Sequence, residues 1–206
     1  MDIITRITRQ RGKMQIAISE QETIVVPLSL FRERPLTEGQ PINLEEYDNW
    51  LMVRQYRHAL DRAVACLAAR AHSKHEIEQK LLRVGYRPCT VEMVLYKLER
   101  EHLLDDADFA RQWVEARSGR KMGRSRIAQE LRRKGIDADE AEEALSAIGE
   151  DAQLADAIAL AEKAAARAKS DEDPRKTYQR IAAMLARRGF RWDITKEALA
   201  QVLQAD

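Results

Sequence analysis

A short pattern recurs three times along this chain of 206 residues: an aliphatic residue, a leucine four on, then after four more a glycine and a large apolar residue. The copies are Ile77, Leu81, Gly85, Tyr86; Ile127, Leu131, Gly135, Ile136; and Ile181, Leu185, Gly189, Phe190. A further leucine follows each glycine ten residues later, at Leu95, Leu145 and Leu199, so the register persists beyond the motif. Self-similarity of this kind marks a tandem array, in which each repeat is one small unit that buries more apolar surface against its neighbours. An array presents an extended surface, and function is expected there rather than in a catalytic pocket.

Each repeat reads as three helices. In the first, a helix ends over Arg62 to Arg70, and Ser73 with Glu76 forms a capping box before Ile77 and Leu81. Gly85 stands where a left-handed C-cap is needed, and Pro88 opens a helix whose inward face is Val91, Val94, Leu95 and Leu98. The second repeat runs from Phe109, Trp113 and Val114 through Ile127 and Leu131 to Ala141, Ala144, Leu145 and Ile148, its last helix started by Asp137. The third uses the alanine-rich stretch Ala155 to Ala168, then Asp173 and Pro174 as N-cap and N1, then Ile194, Ala198, Leu199 and Val202. The N-terminal residues differ in kind. Met14, Ile16 and Ile18 alternate with Gln15 and Ala17, and the β-branched run Thr23 to Val26 ends at Pro27, which predicts two strands joined around Glu20 to Glu22. Pro35 to Pro41 reads as a loop, and Asn43 with Glu46 caps a long helix through Leu44, Tyr47, Leu51, Tyr56, Leu60 and Val64. The expected fold is therefore mainly α: a tandem array of three three-helix repeats with a small N-terminal β-containing extension. The expected divisions are 1–42, 43–102, 103–149 and 150–206.

Aromatics at 5% and charged residues at 33% suit helices better than sheets. The formal net charge of +1 hides a segregation. Arg111, Arg117, Arg120, Lys121, Arg124, Arg126, Arg132, Arg133 and Lys134 are interrupted only by Glu115 and Glu130, whereas Gly135 to Leu160 holds eight carboxylates and no Lys or Arg. A basic block is an electrostatic footprint for nucleic acid or an acidic protein, with a solvated face of mixed salt bridges as the alternative. No signal-peptide-like segment or long apolar run is present, so a cytoplasmic location is expected. Cys66 and Cys89 form no CxxC and are expected to be small buried hydrophobes. His72 and His75 span a capping box and lack a second ligand pair at zinc spacing, so no metal is expected. Gly119 to Ser125 has Gly-Arg-Ser where a phosphate loop needs Gly-Lys-Ser, and no nucleophile motif or pair of catalytic carboxylates stands out. Neither an enzyme activity nor a cofactor is expected.

These residues resemble the RecX regulatory proteins, bacterial modulators of the RecA recombinase. The second repeat carries the resemblance most strongly, in Leu103-Leu104-Asp105-Asp106, Phe109-Ala110, Val114, Arg117, Lys121, Gly123, Arg126-Ile127, Glu130-Leu131 and Lys134-Gly135-Ile136. The first adds Ser73, Glu76-Ile77, Lys80-Leu81 and Gly85-Tyr86; the third adds Leu185 and Arg188-Gly189-Phe190 but has Met184 where the others have Lys80 and Glu130. The resemblance implies a non-enzymatic protein that binds along the groove of the RecA filament on DNA. It implies altered recombinase, ATPase and coprotease activities in DNA repair and the SOS response, with inhibition the expected sign.

Repeat register supplies the candidate binding residues. Arg83, Arg133 and Arg187 each lie two residues before the repeat glycine, rotated by about 200° from the buried leucine and hence outward. Arg126 and Arg180 lie seven residues earlier on the same stripe, with Lys121, Arg124, Lys134 and Arg188 nearby. This set is expected to meet filament DNA or acidic recombinase surface; the competing reading is that cations near a helix C-terminus complement its dipole, which accounts for Lys134 and Arg188 better than for Arg126 and Arg180. Trp113, Trp192 and Phe190 could stack on bases, although amphipathic spacing assigns Phe190 and Trp113 to the core. Two other functional classes stay open: a helix-turn-helix-like protein that reads DNA directly, which the acidic Asp139, Glu140, Glu142 and Glu143 oppose, and a scaffold that binds only protein.

Overall fold

A computed structural model describes residues 2–19, 22–168 and 173–203. It divides into two compact units, Met1–Asp105 and Asp106–Asp206. The first opens with an antiparallel sheet of order β3-β2-β1-β4, from β1 (Asp2–Gln10), β2 (Lys13–Ile18), β3 (Glu22–Pro27) and β4 (Pro41–Ile42). The strands expected around Met14 to Ile18 and Thr23 to Val26 are β2 and β3, while Glu20 and Gln21 of the expected turn lie outside the described residues. Strand β1 was not expected from the sequence. Ile4 pairs with Ile18 but Arg6 pairs with Ala17, so a bulge at Thr5 shifts the side-chain parity and erases the alternation by which strands are recognised.

A short helix α1 (Leu28–Glu33) follows, then α2 (Leu44–Ala69), where the Asn43 side chain accepts a hydrogen bond from Glu46 N at 3.2 Å as the capping box predicts. Beyond Leu51 its buried face departs from the expected apolar run. Gln55, Ala59 and Ala63 continue the face of Tyr47 and Leu51, four residues apart, whereas Tyr56 and Leu60 are half-buried and Val64 is exposed. Small residues there let α4 approach α2 closely. Helices α3 (Lys74–Val84) and α4 (Pro88–Arg100) complete the first repeat, with Ser73 Oγ accepting from Glu76 N. Sheet and repeat share one core, from Ile4, Ile16, Ile18 and Val26 through Tyr47 and Leu51 to Ile77, Leu81, Val94 and Leu98.

The second unit holds two further three-helix groups, α5 (Asp106–Ser118), α6 (Arg124–Arg133) and α7 (Ala138–Ser146), then α8 (Glu150–Ala165), α9 (Pro174–Arg188) and α10 (Trp192–Leu203). The groups have separate cores, around Ile127, Leu131 and Leu145 and around Ile181, Leu185 and Leu199. Ile127, Leu131, Ile181 and Leu185 are all fully buried, and truncating any one to alanine is expected to cost about 2–5 kcal/mol. Cys66 is half-buried but Cys89 is exposed, against expectation; it follows Pro88 on the first turn of α4, whose inward positions are Thr90, Val91 and Val94.

The repeat motif has one structural meaning. After α3, α6 and α9 the chain leaves through a Schellman turn in which the glycine takes positive φ: 101° at Gly85, 76° at Gly135 and 89° at Gly189. The following N–H reaches back to the motif leucine, from Tyr86 to Leu81, Ile136 to Leu131 and Phe190 to Leu185. Tyr86, Ile136 and Phe190 are each 5% exposed, so the large apolar residue after the glycine closes the turn onto the core.

Candidate nucleic-acid and filament interface

The Schellman geometry fixes where the stripe arginines sit. Arg83, Arg133 and Arg187 lie in the last turn of their helices, two residues before each turn glycine, and all three are exposed. In the second unit, α9 docks end-on against α6. The carbonyls of Arg188 and Gly189, at the C-terminus of α9, accept hydrogen bonds from Gly123 N (2.9 Å) and Ser125 N (3.2 Å) at the N-terminus of α6. Partial negative charge meets partial positive charge, and groups that helix ends leave orphaned are satisfied. The backbones touch here because both contacting positions are glycine. A Cβ on Gly123 would lie 2.2 Å from Gly189 C, and one on Gly189 would lie 2.3 Å from Arg126 Cβ. The C-terminus of α9, with Arg187 and Arg188, is therefore held beside the N-terminus of α6, with Arg124 and Arg126.

Several of the expected cations also hold this junction. Arg188 Nη1 donates to the carbonyls of Arg120 (3.2 Å) and Lys121 (3.4 Å), and Lys121 Nζ lies 3.1 Å from Asp156 Oδ1. Arg124 pairs with Glu142 on α7, and its backbone N–H donates to Oε1 of the buried Gln153 at 2.9 Å. The junction thus gathers Lys121, Arg124, Arg126 and Arg188. Arg133 and Lys134 lie at the other end of α6, Arg180 within α9, and Arg83 in the first unit.

A network on α5 and α6 sets the charge at the centre of the stripe. Glu130, only 14% exposed, accepts from Arg117 Nε (2.7 Å) and Trp113 Nε1 (3.1 Å), and its other oxygen is 3.5 Å from Arg126 Nε. Burial would raise the Glu130 carboxyl, but the Arg117 hydrogen bond and charge, the indole N–H and Arg126 outweigh it and hold it below the ordinary carboxylate range. The Trp113 ring is flanked by cations, with Arg117 Cζ 4.0 Å and Lys134 Nζ 4.1 Å from its centroid, and it stacks on Phe109. Trp113 is thereby a structural ring, and Lys134 packs against it. Phe190 is core, whereas Trp192 is 64% exposed. From the sequence Glu130 was quoted only as part of the repeat motif, with no role given, and Gln153 was not singled out. The signal for Glu130 was present in the four-residue spacing of Arg126, Glu130 and Lys134 and of Trp113 and Arg117; Gln153 had none, because its partner is a backbone group 29 residues away in sequence.

Among the described residues, no cluster of three His, Cys, Asp or Glu side chains could hold a metal, and no helix is long and apolar enough to cross a membrane. His72 is buried, with Nδ1 2.9 Å from Arg70 O and Nε2 2.7 Å from Lys80 Nζ. An ammonium only donates, so Nε2 accepts and Nδ1 carries the proton.

Comparison with known proteins agrees on one family. Models of the first, second and third three-helix domains of RecX match residues 59–98, 105–145 and 151–199. The regulatory protein RecX of Clostridioides difficile is 30% identical over 210 residues, spanning 100% of this chain and 98% of that protein. The regulatory protein RecX of Prosthecochloris aestuarii is 37% identical over 148 residues, 71% of this chain and 95% of the relative. A crystal structure of a regulatory protein RecX shares the fold with a TM-score of 0.67 at 22% identity, covering 100% of both chains. That of RecX from Lactobacillus salivarius gives 0.68 at 25% identity over 74% of this chain and 99% of its own. A chain matched in all three of its three-helix groups, and along its full length by a relative, belongs to the RecX family of regulatory proteins.

Proposed function

We infer that this protein acts in the cytoplasm on the RecA nucleoprotein filament, binding along its groove and lowering its recombinase, ATPase and coprotease activities in DNA repair and the SOS response. Regulation here is by occupancy and not by catalysis. The segments 43–102, 103–149 and 150–206 serve as successive contact modules, and several weak contacts on one chain gain through effective concentration. The observation that most supports this reading is the dock of the C-terminus of α9 on the N-terminus of α6, which brings the basic ends of the two second helices together. A cluster of guanidinium groups suits a polyanion, whether DNA phosphates or an acidic filament surface. Direct sequence reading by a helix-turn-helix is disfavoured, because α7 presents Asp139, Glu140, Glu142 and Glu143, which repel phosphate.

The test is ATP hydrolysis by the host's RecA on single-stranded DNA, titrated with this protein and with the charge-reversed variant Arg126→Glu/Arg133→Glu/Arg187→Glu. The wild type is expected to lower hydrolysis at concentrations too low to coat the DNA. The variant is expected to need at least ~10-fold more protein, since each lost charge-assisted contact is worth about 1.5–3 kcal/mol before screening. Undiminished inhibition by a folded variant refutes the stripe, and sequence-selective duplex binding without any effect on hydrolysis refutes the filament.

A further inference from the structure

We propose that the β1–β2 hairpin is a second nucleic-acid-binding element, gripping the sugar–phosphate backbone through Arg6, Arg9, Arg11 and Lys13. This proposal does not rest on the arginine stripe. The hairpin is a basic ribbon: from Ile3 to Ser19 the chain has these four cations and no Asp or Glu. Arg6, Arg9 and Arg11 are exposed, and none of the four pairs with a carboxylate among the described residues. The stripe differs, since Arg126, Arg124 and Lys121 there each face an acid. The carboxylate nearest the ribbon in the hydrogen-bond pattern, Glu38, is engaged by the backbone N–H of Ile7 at 2.7 Å.

The turn argues for function independently. Gln10 pairs with Lys13 across a two-residue loop, and both loop residues have positive φ, 43° at Arg11 and 90° at Gly12. That is a type I′ turn, whose first position favours Asn, Asp or Gly. An arginine held in a left-handed conformation at an exposed tip works against the turn, and among the described residues none bonds to its side chain. The hairpin is also anchored. Leu28 N donates to Gly12 O at 3.0 Å, and the aliphatic stem of Lys13 lies against the Gly85 turn, where a Cβ would be 3.0 Å from it. The cations are therefore presented on a fixed ribbon.

Its chemistry fits phosphate better than an acidic helix or a lipid surface. Arginine forks bind phosphate bidentately, and Thr8, Gln10 and Gln15 place neutral hydrogen-bonding side chains among them. Arg6 to Arg11 spans roughly 17 Å of extended chain, the axial rise of about five nucleotides of one duplex strand.

The experiment measures binding of the full chain to a fluorescent DNA duplex and to the same single strand, from 50 to 200 mM salt, for wild type, Arg6→Gln/Arg9→Gln/Arg11→Gln, Arg126→Gln/Arg133→Gln and Arg11→Asn. Loss of three phosphate contacts should flatten the log–log salt slope by about 2.7, so that over this fourfold range the wild type loses roughly 40-fold more affinity than the triple variant. Arg11→Asn should bind more weakly while melting at a higher temperature, a combination that a purely structural arginine does not produce. The Arg126/Arg133 variant reports on the stripe alone, so either reading can fail without the other. An unchanged slope in the folded triple variant overturns the proposal. So does hairpin-dependent binding that is tighter to poly-glutamate or to phosphatidylserine vesicles than to either form of DNA.

Discussion

Replacing Gly189 with alanine is the sharpest probe of the junction between α9 and α6. Two separable effects are expected. The first is conformational: φ of 89° is costly for any residue with a Cβ, by about 1 kcal/mol. The second is steric. The new Cβ would sit 2.3 Å from Arg126 Cβ, 2.4 Å from its N and 2.8 Å from its Cα, and none of these atoms can rotate away. Relief to ordinary contact needs the ends of α9 and α6 to separate by about 1 Å. The Gly123 N–Arg188 O and Ser125 N–Gly189 O bonds, 2.9 and 3.2 Å, would then pass beyond hydrogen-bonding range. Two net hydrogen bonds at about 1 kcal/mol each bring the total to about 3 kcal/mol, which is more than a hundredfold in equilibrium constant. Gly39→Ala is the internal control, since φ there is 79° but a Cβ meets nothing within 4 Å, leaving only the first term. Urea denaturation compares the two variants, and hydrogen exchange at Gly123 and Ser125 reads the junction itself. Equal destabilisation of the two variants, with both amides still protected, would refute the argument. Gly123→Ala acts on the same contact, so the double variant should lose less than the sum of the singles.

Three other outcomes follow from buried polar groups. Burial chiefly, with the Arg70 and Lys80 charges, depresses the His72 pKa below its ordinary 6.5. The folded state thus binds fewer protons, and the stability His72 contributes is complete above pH 6.5 and lost as pH falls below it. The stability gap between wild type and His72→Gln, measured by urea melts from pH 7.5 to 5, should narrow on acidification; a constant gap sinks the assignment. Glu130→Gln removes the charge that Arg117 and Arg126 share and should cost about 2 kcal/mol near neutral pH. Because the Glu130 carboxyl is held low, that difference should persist above pH 4.5 and vanish as pH falls through its folded value. Burial pushes the Tyr47 hydroxyl up to about 12, and its oxygen has no hydrogen-bond partner among the described residues, so Tyr47→Phe should leave stability unchanged or raise it by up to about 1 kcal/mol; a loss above 1 kcal/mol contradicts this.

Most of the helical architecture was legible because each element announces itself locally. Asn43, Ser73 and Asp173 accept hydrogen bonds at the N-caps assigned to them, Pro88 and Pro174 open α4 and α9, and Gly85 and Gly189 close α3 and α9. These signals need only neighbours within a few residues. What stayed hidden depends on partners far along the chain. Strand β1 lost its alternation to a bulge that exists only against β2. Gln55, buried on α2 and accepting from Arg87 N at 3.0 Å, reads as a surface residue until α4 is placed beside it.

The same distinction explains why charge counting alone blurred the candidate site. Exposure of Arg83, Arg133 and Arg187 follows from helical phase and was legible in the repeat register. The roles of their neighbours were not, because they depend on acids and carbonyls from other helices: Glu142 for Arg124, Asp156 for Lys121, the Arg120 and Lys121 carbonyls for Arg188. These contacts make the basic block serve two ends at once. One part of its charge neutralises acids of α7 and α8 and fastens α9 to the segment before α6, while Arg133 and Arg187 stay exposed. A partner that recognised only charge density would respond similarly to loss of Arg124 or of Arg187. One that recognised the exposed arginines would respond to Arg187 directly, and to Arg124 only as far as the junction loosens.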